Sequence, residues 1–332
     1  MLPSPSDVIA AATLLSGNVI RTPLVRSAWL SSATGGDVWL KLENRQLEGS
    51  FKTRGALYAL MRSGAARAVT ASAGNHGRAL AYAAKTLGVP LTVFAPATAP
   101  RAKLDPIRGH GAALELRETY DEAERDAIAF ARARGIPYIS PYNHPDVIAG
   151  AGTAGLDVLE DVPDIGMLIV PVGGGGLASG IALAAAVRGG RAGTAGVEAA
   201  ASPVFTSALA AGRLVEVKVS PTLADGLAGN AEPGSITFDL IRDLRVGVQT
   251  VTEDEIASAM RGLMAREGER VEGAGAVGVA ALLSGAIDVR DMRAAVIVSG
   301  GNVDPEKLQQ QEPGAEAEQD EGQQRPEQHG HS

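Results

Sequence analysis

The chain has 332 residues, 45% of them hydrophobic and 41 of them glycine, enough to bury a substantial core in about two domains. It has no cysteine, which excludes disulfides, thiolate catalysis and iron–sulfur ligation; its net charge is −8, of which −5 falls in residues 305–332, leaving no basic patch for a nucleic acid. No apolar run reaches the roughly 18 residues of a membrane span and no basic segment with an apolar core opens the chain, so a cytoplasmic protein without membrane partners is expected.

In chain order, apolar Trp39-Leu40 marks a strand, and Ser50-Phe51-Lys52-Thr53-Arg54-Gly55 opens a helix from Phe51 to about Arg62 with Ser50 as its N-cap. A solvated surface lysine is the ordinary reading of Lys52. Held against Phe51 and the preceding strand it would lose hydration, its pKa would fall, and its amine would become a usable nucleophile. Next comes Ala68-Val69-Thr70 as a short strand, then Ser72-Ala73-Gly74-Asn75-His76-Gly77, then a helix from about Arg78 to Leu87. Small residues and an amide at a helix start suit a carboxylate. His76 alone reads as a packing histidine whose backbone matters more than its ring.

Strands follow at Leu91 to Ala95, Leu114, Ile136 to Ile139 and Met167 to Val170. Pro171-Val172-Gly173-Gly174-Gly175-Gly176-Leu177 succeeds the last of these and leads into a helix over Ala178 to Val187. Strand, glycine loop and helix start together make a phosphate cup, because glycines let the backbone close on an anion and the helix end carries roughly half a positive charge. Two readings compete: a dinucleotide fingerprint through Gly174 and Gly176 with Glu198 as the acidic residue, disfavoured by the mid-chain position, and a flexible linker, disfavoured by the ordered flanks. Finally Ser299-Gly300-Gly301-Asn302 follows the strand Ala294 to Val298 and can offer a hydroxyl to a ring nitrogen, or is simply a tight turn. The Gln- and Glu-rich residues 305–332 have too little apolar surface to fold and read as a disordered tail. Alternating strands and helices imply an α/β fold with parallel sheets, and ligands collect at strand carboxyl ends in such folds.

Taken together these loops resemble the fold type II pyridoxal phosphate enzymes, in particular the threonine and serine dehydratases and serine racemase. The resemblance spans about residues 15 to 304 and includes Arg21-Thr22-Pro23-Leu24, Lys41-Leu42-Glu43-Asn44, Val147 to Thr153, Ala224-Asp225-Gly226 and Val251 to Glu255. It implies two open twisted parallel-sheet domains of the tryptophan synthase β-like kind: a large one from residues 1–65 and 143–304, a small one from 66–142, and the cofactor in the cleft between them. By the same resemblance Lys52 would hold the cofactor as a Schiff base, with Phe51 and Gly226 against the two ring faces and Asn75 on the ring hydroxyl. Gly173, Gly174, Gly175, Gly176 and Leu177 would bind the phosphate, Ser299 would face the ring nitrogen, and the loop Ser72, Ala73, Gly74, Asn75 and His76 would hold the substrate carboxylate. A homodimer is the family expectation.

A neutral serine hydroxyl at the ring nitrogen makes a weaker electron sink than an aspartate would, which suits immediate loss of a β-substituent better than transamination. The implied reaction is therefore β-elimination of water from L-threonine or L-serine, giving 2-oxobutyrate or pyruvate and ammonia. Serine racemase has a serine where this chain has Ala73, and alanine cannot move a proton on the opposite face. Relatives with a structural cation pair a glutamate and an aspartate about six residues apart; here Glu198 matches but Val204 replaces the aspartate, so no metal is expected. Glu272 opens a Glu-Gly-Ala-Gly-Ala run where many relatives have Glu-Pro, which leaves 3-hydroxyaspartate or phenylserine as alternative substrates. Racemisation, β-replacement and non-catalytic cofactor binding rank below these. Without a folded regulatory domain after the catalytic body, no isoleucine inhibition is expected.

Overall fold

The computed structural model describes residues 2–187 and 189–303, so the expected tail over 305–332 lies outside the described residues. Among them nine strands form: β1 (Leu24–Arg26), β2 (Asp37–Leu42), β3 (Ala68–Ala71), β4 (Leu91–Pro96), β5 (Ala113–Arg117), β6 (Met167–Pro171), β7 (Gly193–Ala199), β8 (Gly247–Val251) and β9 (Arg293–Val298). One six-stranded sheet has the order β1-β2-β9-β6-β7-β8, and a second has the order β3-β4-β5. Every pairing is parallel except β1 with β2.

Unbroken apolar runs decide which strands lie at the centre, since a parallel strand covered by helices on both faces has no polar side. Leu168, Ile169 and Val170 of β6 and Ala294 to Val298 of β9 are fully buried, and the two strands pair side by side. Their carboxyl ends therefore deliver the glycine loop and the Ser299 loop to neighbouring positions.

Three helices control where the lysine stands relative to the glycine loop. Lys52–Ser63 and Gly176–Val187 both pack on Pro145–Asp161 at backbone distance. A Cβ on Gly55 would lie 2.6 Å from Val147 O, one on Gly150 would lie 2.8 Å from Arg54 O, and one on Gly152 would lie 2.5 Å from Gly180 O. No side chain fits at these crossings, so the helix axes are held as close as backbones permit.

Several expectations are corrected. Residues 136–139 contribute an isolated parallel bridge between Tyr138 and Val69 rather than a strand, because Pro137 has no amide to extend the ladder. The three-residue β1 and the edge strand β8, with its mixed exposure, lack the apolar runs that would have announced them. Phe51, not Ser50, occupies the N-cap of the lysine helix, and Ser50 Oγ is buried without a partner. The helix expected from Arg78 starts at Asn75, which draws Asn75, His76 and Gly77 into its first turn.

Candidate active site

Lys52 opens its helix at a point pinned to the end of β9. The Phe51 amide donates to Ser299 O at 3.0 Å, and Ser50 bridges Gly300. The lysine Nζ donates to Pro141 O at 2.8 Å and lies 5.0 Å from the centre of the Phe51 ring. Lys52 keeps some exposed surface while sitting deep among protein atoms. Burial lowers its pKa to about 8, against the opposing pull of the Glu272 carboxylate.

The glycine loop closes on the segment that carries Pro141. A Cβ on Gly174 would run into the Tyr142 ring, one on Gly176 would lie 3.0 Å from Tyr142 Cα, and Gly175 has φ +83°, a conformation that favours glycine. On the other flank a Cβ on Gly173 would lie 2.9 Å from Leu227 Cα and 3.4 Å from Gly226 O. Thr237 Oγ1 donates to Gly174 O at 2.9 Å. Val172 N donates to Val197 O and Ser179 N to Gly175 O, whereas the amides of residues 173–178 have no protein partner among the described residues. Free amides at a helix start, on backbone that close neighbours keep clear of side chains, form an anion cradle.

The loop after β3 faces the same region. Ser72 Oγ accepts from Gly74 N at 3.2 Å, and the space beside Gly74 is open. His76 is buried with Nε2 3.1 Å from Ile139 O; burial first, then Lys52, holds its pKa at about 3, so the ring is neutral. A neutral ring bonded to Ile139 O leaves the backbone of this loop to meet an anion. Asn75 Nδ2 donates to both Glu272 oxygens, at 2.8 and 3.1 Å, and Asn75 Oδ1 accepts from Asn302 Nδ2 at 2.9 Å. The Glu272 carboxyl is raised to about 7, chiefly by burial and against the Asn75 hydrogen bond.

Other quoted motif residues serve a different place. Arg54, two residues after Lys52, donates to both oxygens of Glu43 at 2.8 Å, to Asp157 at 2.8 Å and to Thr153 at 3.1 Å. Lys41 Nζ reaches Thr22 O at 2.7 Å and Asp157 at 3.1 Å, and Thr22 donates to Glu43. This buried network anchors the lysine helix from below. Glu198 caps the helix Val204–Ala211, accepting from Phe205 N at 2.7 Å, Thr206 N at 2.9 Å and Thr206 Oγ1 at 2.8 Å. Among the described residues no three His, Asp or Glu side chains converge as metal ligands.

The site residues expected from the sequence thus come together on loops from β3, β6 and β9, the lysine helix and the turn Asp225–Leu227. Reasoning from sequence missed Pro141, Tyr142 and Thr237 and gave Glu272 no partner. The run Ser140-Pro141-Tyr142-Asn143-His144-Pro145, with two prolines and an aromatic ahead of a helix, is the signal that could have marked the first two.

Residues 15–300 match the family described as pyridoxal-phosphate dependent enzyme. The chain belongs to that family. An L-threonine ammonia-lyase of Thermotoga maritima is 40% identical over 303 residues, covering 90% of this chain and 75% of the relative. Maize serine racemase superposes with a TM-score of 0.88 at 32% identity, covering 93% of this chain and 97% of the other. A serine racemase from Dictyostelium discoideum gives 0.85 at 33% identity, covering 91% and 99%. This pyridoxal-phosphate dependent enzyme has the α/β architecture of those neighbours, and its residues fit the cofactor. The free amides over 173–178 suit a phosphate, and an amine with its pKa lowered to about 8 suits an aldehyde.

Proposed function

We propose that this pyridoxal-phosphate dependent enzyme is a dehydratase of L-threonine and L-serine, releasing water and ammonia to leave 2-oxobutyrate or pyruvate. One observation carries the proposal: the amine of Lys52 is close enough to act on His76, in a half-buried loop whose Ala73 has no group able to move a proton. Proton chemistry confined to one face favours elimination over racemisation by two bases.

When bound, pyridoxal phosphate withdraws electrons from the substrate Cα and makes its proton acidic. Gly173, Gly174, Gly175, Gly176 and Leu177 would hold its phosphate, Phe51 and Gly226 its ring faces, Asn75 its hydroxyl and Ser299 its ring nitrogen. The loop Ser72 to His76 would hold the substrate carboxylate through the amides of Ala73, Asn75 and His76, since those of Ser72 and Gly74 are taken by Phe94 O and Ser72 Oγ, and the helix start favours that charge. The Lys52 amine, neutral above about pH 8, accepts the Cα proton. The electron pair left on Cα forms a double bond to Cβ as the β-oxygen departs as water, taking up the proton that Lys52 removed from Cα. The released enamine then hydrolyses to the keto acid and ammonia.

The same proposal divides the chain into lobes of residues 1–65 with 143–304 and of 66–142, supported by the two separate sheets, of which β3-β4-β5 lies wholly within the second range. A homodimer rests on the family resemblance and a cytoplasmic location on apolar runs too short for a membrane span; among the described residues no helix is long and apolar enough to cross a membrane. The deciding experiment is keto acid and ammonia release from L-threonine and L-serine with pyridoxal phosphate, in the native chain and in Lys52→Ala. The variant should lose at least about 10²-fold in turnover. Because Glu272 is followed by Gly273 rather than proline, 3-hydroxyaspartate and phenylserine belong in the same assay; faster release from either would replace threonine and serine as substrates.

A further inference from the structure

We propose that Glu232 is a positioning residue for the cofactor site, an inference that rests on reading Lys52 and the glycine loop as that site. Its carboxylate uses both oxygens on one short segment: Ser140 Oγ donates to Oε1 at 2.8 Å and Asn143 Nδ2 donates to Oε2 at 2.9 Å. Its backbone amide donates to Tyr142 Oη at 2.9 Å, and Ile236 N donates to Asn143 Oδ1 at 2.9 Å. Four hydrogen bonds therefore tie residues 232–236 to residues 140–143. The two residues held between those anchors are the ones that matter to the site. Pro141 supplies the carbonyl that receives the Lys52 ammonium, and Tyr142 packs where a side chain at Gly174 would stand.

The loop carrying Glu232 also reaches the phosphate cradle from its far side. Ser235 Oγ and Thr237 Oγ1 are 2.7 Å apart, and Thr237 Oγ1 donates to Gly174 O. Glu232 thus links the acceptor of the lysine amine to the backbone of the glycine loop, touching neither the amine nor the loop itself. Hydrogen bonds to a carboxylate are roughly twice as strong as neutral ones and hold direction as well as distance. Glutamine at 232 keeps the size but removes the charge, so both anchors fall to the strength of neutral hydrogen bonds and the Ser140 hydroxyl must turn from donor to acceptor. Pro141 O then ceases to hold the amine in one orientation, and Tyr142 ceases to close the cradle.

The test compares native holoenzyme with Glu232→Gln, Asn143→Ala and the double variant. Pyridoxal phosphate is titrated into each apoprotein, and kcat and KM are measured at saturating cofactor. Each single variant should weaken cofactor binding about tenfold and lower kcat several-fold, with KM for the amino acid within about twofold because the loop Ser72 to His76 is untouched. The double variant should be no worse than the poorer single one, since both changes remove the same link. Native cofactor affinity and kcat in either folded single variant would overturn the proposal, and so would effects that multiply in the double variant. If Glu232→Gln fails to fold, Asn143→Ala alone decides by the same two readouts. Borohydride trapping of the cofactor on Lys52 in the native chain is done first: its failure would count against the cofactor site itself, whereas trapping with native-like variants counts against Glu232 only.

Discussion

Asn75 and Glu272 are joined by one amide nitrogen that lies 2.8 Å from one carboxylate oxygen and 3.1 Å from the other. A neutral amide offsets only part of the cost of burying a carboxylate, and Glu272 is raised to about 7 from an ordinary 4.5. A raised folded-state value means the folded protein binds the proton more tightly than the unfolded chain. That contribution to stability is fully present below about pH 4.5 and is lost as the pH rises through about 7. Glu272→Gln, which is neutral throughout, should gain on the native apoprotein by about 3 kcal/mol between pH 4.5 and 8. Thermal melts at both ends of that range check the sign; a difference independent of pH would refute it.

The Lys52 amine, lowered to about 8 by burial, should capture pyridoxal phosphate faster as the pH rises through that value and then level off. Only the neutral amine attacks an aldehyde. Stopped-flow mixing of apoprotein and cofactor measures it, and a rate that still climbs steeply near pH 10 would mean an ordinary, solvated lysine.

Gly174→Ala drives a methyl group into the Tyr142 ring. Cofactor affinity should fall by at least about tenfold, as expected for overpacking of 1–3 kcal/mol at a binding loop. Adding Tyr142→Ala should restore part of it, and titration of the two variants separates steric closure from a general loss of fold.

Arg54→Met removes the guanidinium that serves Glu43 and Asp157. Lys41 still serves Asp157, but leaving the buried Glu43 carboxylate without its cation costs about 3–5 kcal/mol. Urea unfolding of the apoprotein should show that loss; an unchanged midpoint would mean the network contributes nothing.

Gly152→Ala pushes the helix Gly176–Val187, and with it the glycine loop, away from Pro145–Asp161, the helix on which the Lys52 helix also packs, since its methyl group would meet Gly180 O. A shift near 1 Å between reacting groups can lower turnover about 10²-fold. The steady-state kcat measures it at saturating cofactor. A native kcat with a lower melting temperature would show that the crossing stabilises without aligning.

Much of this site was legible in the chain because its loops are local patterns. Pro171 to Leu177 declares a strand, a glycine turn and a helix start within a few residues, and backbone amides need no distant partner to form an anion cradle. The lysine, the Ser72 to Gly77 loop and the Ser299 turn are readable for the same reason. Edge strands and bridges were not: β8 lacks the apolar run that burial imposes on β6 and β9, and Pro137 limits its segment to one bridge.

Residue type and order, set along the chain, were sufficient for the fold class, the cofactor and the succession of strand, glycine turn and helix start, since those depend on backbone conformation over short stretches. Which groups face one another was decided by packing alone. Pro141 O meets Lys52 across 89 residues, Glu272 meets Asn75 across 197, and Glu232 meets Ser140 across 92. Such contacts follow from helix crossings and sheet order, where a glycine at a crossing sets an axis distance and so carries a side chain toward a partner that nothing in its own segment names.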